Sequence, residues 1–393
     1  MAKLTWKVLN LTQASNDITD HIQSLSLTVG RPTALSPFSG NSATITMFSY
    51  GGTESLVDIN DEIRLRVNGG AADRTVFQGR IASRNFDDQP GLALNSTMQV
   101  LINDVMLQAG MANLQDQVLS SASNQINEID GLLPQIQISG GATSVDTATG
   151  TFTTNANQRI NEIVSGDRGI LINTSGITAY QTPVTFDSFV TTTVSIGPTA
   201  SATQLAYQDL TRIESASNSL FYTQATVSGA TTTSTYTDTD ASTPYGIRTF
   251  TATTAQSELV PETAEWYANA FSEPKEIMLD LSMVDYGQTD LGLIQLALFL
   301  QSPKFVEVTY TPPGGATVTD RFWPEQITIN GNIAGTTIKM LMTPITYYNN
   351  FILSDDVFGI IGGSPTYNSE IKYNEADFTY NDNNVEQGSR LGV

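Results

Sequence analysis

His21 is the only histidine in the chain, so any serine-type mechanism that needs an imidazole base has to use it. Asp17 and Asp20 lie close by in sequence and would be the acids to orient it. No Gly-x-Ser-x-Gly nucleophile elbow occurs, however, and His21 stands just before a strand-like run. It reads as a turn or surface histidine. Two adjacent carboxylate pairs, Asp87-Asp88 and Asp355-Asp356, have the composition of glycosidase acids or of a calcium site. With 39 acidic residues such neighbours arise by chance, and Gln89-Pro90-Gly91 after the first pair reads as a turn. Asp238-Thr239-Asp240 lacks the Gly and distal Glu of an EF-hand loop. The chain has no cysteine, which removes disulfides, thiolate metal sites and Cys nucleophiles. No catalytic, cofactor or metal residue is assigned, and the protein is read as not an enzyme.

The clearest concentration of basic residues is Arg64, Arg66, Arg80 and Arg84, in a chain of formal net charge -21. Arg64 and Arg66 are two apart in a strand-like run and so share one face. They serve either as a solvated or edge-protecting face, or as an intersubunit seam for a neighbour's acids. The excess of 39 acidic over 18 basic groups makes the long-range term with nucleic acid repulsive, which argues against tight binding of DNA or RNA.

The elements that must carry these residues are mostly strands. Charged residues are only 15% of the chain and small polar residues fill the gap, as in β-rich structural proteins. Ser24–Val29, Ala43–Phe48, Asp61–Val67 and Thr75–Ala82 each alternate apolar and polar residues, separated by Gly-containing turns. Helical spacing is expected over Leu101–Ala112, Ala156–Ser165, Glu258–Phe271 and Thr289–Gln301. A hairpin around Asn173-Thr174-Ser175-Gly176 joins Ile170–Ile172 to Ile177–Tyr180. A second β region opens at Leu220–Val227 and closes with Phe305–Tyr310, Phe322–Ile329 and Gly335–Thr343. Thr231–Thr237 is either a long hairpin tip or an edge strand.

From Tyr347 the chain is rich in Asn, Asp and Tyr and reads as an extended arm, ordered only if tied down. Its aromatics, Phe351, Phe358, Tyr373 and Tyr380 among them, either anchor in a partner's pockets or pack on their own subunit. Met1–Lys7 lacks the apolar core of a signal peptide, and the run Leu291–Leu300 is about half of a membrane span. Synthesis in a host cytoplasm, without membrane insertion, is the expectation.

The order of motifs resembles the hub family of phage tails and gene transfer agents, the tail-tip or baseplate proteins that close the tail tube. The residues that carry it are Arg159–Val164 leading into Asp167-Arg168-Gly169-Ile170-Leu171-Ile172 and Gly176, then Leu220–Val227, Tyr245-Gly246-Ile247-Arg248, Phe351-Ile352-Leu353-Ser354-Asp355 and the closing Ser389-Arg390-Leu391-Gly392. Asp167 matches only loosely the acid of the family pattern. The stretch 182–211 has no counterpart, and the tail Thr366–Gln387 is longer than the family's usual ending.

The resemblance implies an α+β, β-dominated fold with two tail-tube-like β-barrels. Its parts would be a first barrel over 1–108, an α/β domain over 109–211 and a second barrel over 212–257 plus 303–346. A helical insertion would occupy 258–302 and an extended arm 347–393. It further implies a homotrimeric virion protein at the tail tip that adapts a six-fold tube to a three-fold tip and lines part of the DNA ejection channel. Its partners would be tube or distal-ring proteins above, tip or fibre proteins below, and genomic DNA in transit without specific binding. A six-fold distal tail ring shares the barrel and is the nearest alternative. A carbohydrate-binding receptor module is another, suggested by the Thr-, Asn- and Tyr-rich β surfaces.

Overall fold

The computed structural model describes residues 5–13, 17–33, 35–38, 40–49, 53–68, 73–87, 96–114, 117–121, 125–132, 138–139, 145–148, 155–166, 170–174, 177–181, 195–197, 204–206, 210–216, 220–272, 278–285, 306–310, 318–332 and 336–344. Six strands come first: β1 Thr5–Asn10, β2 Ile22–Gly30, β3 Ser42–Phe48, β4 Glu62–Asn68, β5 Asp73–Asp87 and β6 Thr97–Asn103. All their pairings are antiparallel. Period-two alternation puts Leu25 and Leu27, Ala43, Ile45 and Met47, Ile63 and Leu65, and Met98, Val100 and Ile102 on one buried face. Each of these side chains apart from Ala43 contributes about 1.5–3 kcal/mol by leaving water.

Two helices follow, α1 Val105–Ala109 and α2 Gln125–Leu132, then the two-residue β7 Ile138–Ser139 and helix α3 Ala156–Gly166. The helical spacing read over Leu101–Ala112 is cut short. Leu101–Asn103 completes β6, and Asp104 caps α1 by accepting the Leu107 N–H at 3.0 Å. Beyond α3 come β8 Ile170–Thr174, β9 Ile177–Gln181, β10 Ser195–Gly197, β11 Gln204–Ala206 and β12 Leu210–Ala216. β8 and β9 form an antiparallel hairpin, with β7 added in parallel to β9.

The remaining elements are β13 Gln224–Ser228, β14 Thr233–Thr237, α4 Thr239–Tyr245, β15 Thr249–Thr253, α5 Val260–Phe271, β16 Met278–Asp285, β17 Val306–Tyr310, β18 Val318–Asn332 and β19 Thr336–Pro344. Thr233–Thr237 is an edge strand, because the small sheet runs β14-β13-β15. That sheet packs Ala225 and Val227 on Val260, Ala264, Tyr267, Ala268 and Phe271 of α5. Helix α5 closely matches the apolar spacing over Glu258–Phe271, whereas Met278–Asp285, within the stretch expected as a helical insertion, is a strand.

The large sheet has eleven strands in the order β1-β4-β5-β6-β3-β2-β18-β19-β16-β12, with β17 beside β18. Ile327, Ile329, Met340 and Met342 of β18 and β19 join the core of the first six strands. The sheet curls until its first strand meets its seventh. The Trp6 indole of β1 donates to Thr336 Oγ1 at 3.0 Å and covers Gly331 of β18, where a Cβ would stand 2.7 Å from the indole nitrogen. At the other end of β2, Gly30 has φ +98 and lies so close to the Glu325 carbonyl that no side chain fits.

Candidate functional site

β4 turns Ile63 and Leu65 inward, so Glu62, Arg64 and Arg66 face out, as period two dictates. Cross-strand register places Lys7 of β1 opposite Arg66, and Gln78 and Arg80 of β5 opposite Arg64 and Glu62. Arg64 Nε donates to Gln78 Oε1 at 2.9 Å, and Gln78 Nε2 donates to Glu62 Oε1. The result is a face of four cations across three adjacent strands. Lys7 against Arg66 is a like-charge pair, which costs stability unless an acid offsets it. Asp17 offsets the lysine, with an oxygen 3.5 Å from Lys7 Nζ.

Arg84 stands apart from this face. It donates to the Val57 carbonyl at 2.6 Å and pairs with Asp58 at 2.9 Å, holding the 57–61 turn. The same turn rests on buried Asp61, which accepts from Asn10 Nδ2 at 2.7 Å, Gln13 Nε2 at 3.1 Å and the Asp58 N–H at 2.8 Å. Burial pushes the Asp61 carboxyl up, but those hydrogen bonds and the charge of Arg84 outweigh it and hold the carboxyl below its ordinary value.

The groups with a catalytic look are used locally. His21 ends a short 3-10 turn, Thr19–His21. Burial raises the Asp17 carboxyl, but hydrogen bonds from Thr19 and the Lys7 charge bring it below the ordinary value. Asp238 Oδ1 caps α4 by accepting the Asp240 and Ala241 N–H groups. Asp87 is exposed at the end of β5, while Asp88 and the pair Asp355-Asp356 lie outside the described residues. Among the described residues no three His, Cys, Asp or Glu side chains cluster in a way that would hold a metal. None of the described helices is long and apolar enough to cross a membrane. Phe351, Phe358, Tyr373 and Tyr380 also lie outside the described residues.

A second feature is a cleft of about 770 Å³ between α3, the 35–38 segment and β15. Its aromatic floor comprises Phe250, Tyr267 and Trp266, with the Tyr267 ring centroid 4.9 Å from that of Phe250 and 4.8 Å from that of Trp266. The two asparagine amides on α3 that line the cleft are already committed. Asn157 Nδ2 donates to the Phe38 and Met106 carbonyls, and Asn161 takes both the N–H and the carbonyl of Phe38. Arg31 at the rim stacks 4.5 Å over the Phe38 ring and donates to Glu325 Oε2 of β18 at 2.7 Å, both groups being buried.

Behind the cleft Arg159 is almost fully buried. It donates to Gln125 Oε1 at 3.0 and 2.8 Å and to the Asp146 carbonyl at 2.8 Å, and lies 3.3 Å from Glu162 Oε2. Burial raises the Glu162 carboxyl despite Arg159 and lowers the Arg159 guanidinium despite Glu162. Ala255 N–H donates to the Glu162 carbonyl at 3.0 Å, fastening the end of β15 to α3. Sequence reading did not find the Arg31–Glu325 pair, because the partners are 294 positions apart and Arg31-Pro32 reads as a turn. The Arg159–Glu162 spacing of three was the available signal for the second pair.

The sequence matches no family model and no curated protein. The folded chain, however, is similar to solved structures. A tail protein from Neisseria meningitidis MC58 superposes with a TM-score of 0.57 at 10% identity, over 87% of this chain and 97% of that one. The 43 kDa tail protein of prophage MuSo2 from Shewanella oneidensis gives 0.54 at 10% identity, over 88% and 99%. The fold is that of phage tail proteins. At such identity the likeness is one of architecture, with side chains free to differ at every surface.

Proposed function

We propose that this chain is a structural virion protein, a tail-tip hub that closes the tail tube and adapts it to a three-fold tip. The observation that carries the reading is the curled antiparallel sheet, closed by Trp6 on Gly331 and continued by β19, β16 and β12, in a chain whose fold matches two tail proteins. In this reading the first six strands with β18 are one tube-like barrel, and β12 with β16–β19 build the second. Three subunits then present six barrels to a six-fold tube. The role requires sheet faces and arms that grip neighbouring subunits, and no reacting group. The negative net charge keeps passing DNA from sticking to the channel wall.

The cationic face of Lys7, Arg64, Arg66 and Arg80 is the intersubunit seam, with Phe351, Phe358, Tyr373 and Tyr380 of the arm as anchors. Reversing Arg64 and Arg66 to Glu is expected to dissociate the assembly at low salt; full assembly of that variant at low salt removes the seam. The reading itself is tested by light scattering on the purified chain with negative-stain images of the same peak. A three-fold ring with a central hole is expected. A six-fold ring transfers the assignment to the distal tail ring, and a monomer at all concentrations overturns the self-assembling hub.

A further inference from the structure

β15 has β13 as its sole strand neighbour among the described residues. The ladder between them is parallel, and the Arg248 carbonyl accepts the Gln224 N–H while Thr254 N–H donates to the Ser228 carbonyl. That phase turns the backbone groups of even-numbered residues toward β13 and those of Thr249, Thr251 and Thr253 the other way. Phe250, Thr251, Ala252 and Thr253 line the cleft consecutively, although alternate side chains of a strand point to opposite faces. The strand therefore meets the cleft edge-on. What the cleft offers is a row of backbone donors and acceptors above an aromatic floor, which is the recognition chemistry of an extended polypeptide.

The occupant is argued from the chain itself. β19 ends at Pro344, which pairs with Phe322, three residues along β18 from Glu325, whose carboxylate holds Arg31 on the cleft rim. Ala376-Asp377-Phe378-Thr379-Tyr380 alternates apolar and polar residues. Paired on β15, it would set Phe378 and Tyr380 on the side of Phe250 and Ala252, over the aromatic floor. Asp377 and Thr379 would fall on the hydroxyl-rich side of Thr251 and Thr253. Residues 345–375 intervene, enough extended chain to span on the order of 100 Å. A tether of that length exceeds what a cleft on the same subunit needs and suits one on the next subunit.

We infer that the cleft beside β15 receives residues 376–380 of a neighbouring copy as an added strand. This deepens the hub reading by naming the receptor for the arm. The chain is free of cysteine, so an introduced pair is unique. In the full-length protein, Thr251→Cys combined with Thr379→Cys is expected to give chain-to-chain disulfides on oxidation, seen as a ladder on non-reducing gels. Thr235→Cys with Thr379→Cys, on the far strand β14, is expected to give none. A fast-migrating intrachain product overturns the assignment to a neighbour, and equal cross-linking of the two pairs overturns the cleft. In a second full-length variant, Thr251→Pro removes an outward N–H that an edge strand can lose. Hydrogen exchange of 376–380 should then quicken at least tenfold; unchanged exchange overturns strand addition. Light scattering on the same samples separates the failures: an oligomer without cross-links refutes the docking alone, and a monomer refutes the hub assembly too.

Discussion

In the curled sheet the interior is Ile45, Ile63, Ile102 and their neighbours, placed by simple alternation, whereas around α3 the largest buried side chain is the charged Arg159. The first region spreads its stability over many equivalent apolar contacts. The second concentrates it in one guanidinium that satisfies Gln125, Asp146 and Glu162 together. Losing a methyl group from the sheet leaves a small void, while losing Arg159 strips the buried Glu162 carboxylate of its counter-charge and Gln125 Oε1 of both guanidinium donors. The contrast separates a sheet that acts as a broad apolar frame from a cleft wall held by one buried ionic node.

The largest expected effect is at Arg159. Arg159→Ala should cost about 3–5 kcal/mol in urea unfolding, the range for removing one partner of a buried ion pair. Replacing both partners, Arg159→Met with Glu162→Leu, should recover part of it, because no charge is left stranded. A loss no greater than that of Ile45→Val would erase the contrast between the two regions. Next comes the seam where the sheet closes. Gly331→Val should cost ~3 kcal/mol by overpacking against Trp6. Trp6→Ala in that background should relieve part of the cost, so the two changes are non-additive; strict additivity would mean that the ring does not close the sheet.

A smaller effect is expected at Asp61. Its carboxyl is held below the ordinary Asp value of about 4, so its stabilisation is present above that pH and is lost as pH falls through the lower folded value. Asp61→Asn should cost about 1–3 kcal/mol near neutrality and flatten the stability curve below pH ~4. An acid-unfolding profile unchanged by the substitution would refute this. The smallest effect is at Thr343, whose Oγ1 is buried without a hydrogen-bond partner among the described residues. Thr343→Val removes that unsatisfied group at nearly constant shape and should leave thermal stability unchanged or raise it by up to ~1 kcal/mol. A loss above that would reveal a partner.

The strands of the first hundred residues, α3, α5 and the 170–181 hairpin were legible because their signals are local. Two-residue alternation in β4 also settled which way Arg64 and Arg66 point. Local signals failed where two periods overlap. Leu101–Asn103 fits helical spacing, yet β3 and β5 claim it as the strand between them, and Asp104 begins the helix only afterwards. Leu220–Thr223 continues an apolar run, but β13 starts at Gln224, because Tyr222 N–H is taken by the Phe271 carbonyl at the end of α5. The candidate sites divide in the same way. The cationic face follows from register on one strand, whereas the cleft is assembled from segments near residues 35, 160, 250 and 266 that no spacing connects.

By itself, then, the sequence determined what depends on neighbours along the chain. It dictated β-rich alternation, turn positions, helix faces, the absence of thiol chemistry and a charge balance hostile to nucleic acid. Tertiary structure alone decided that β2 pairs with β18 across some three hundred residues, that Trp6 requires Gly331, that Arg31 meets Glu325, and that β15 has an open edge among the described residues. The physical reason is that backbone pairing and buried charge are satisfied by whichever group arrives in space. Which group arrives is a property of the whole sheet's closure, which no single segment encodes.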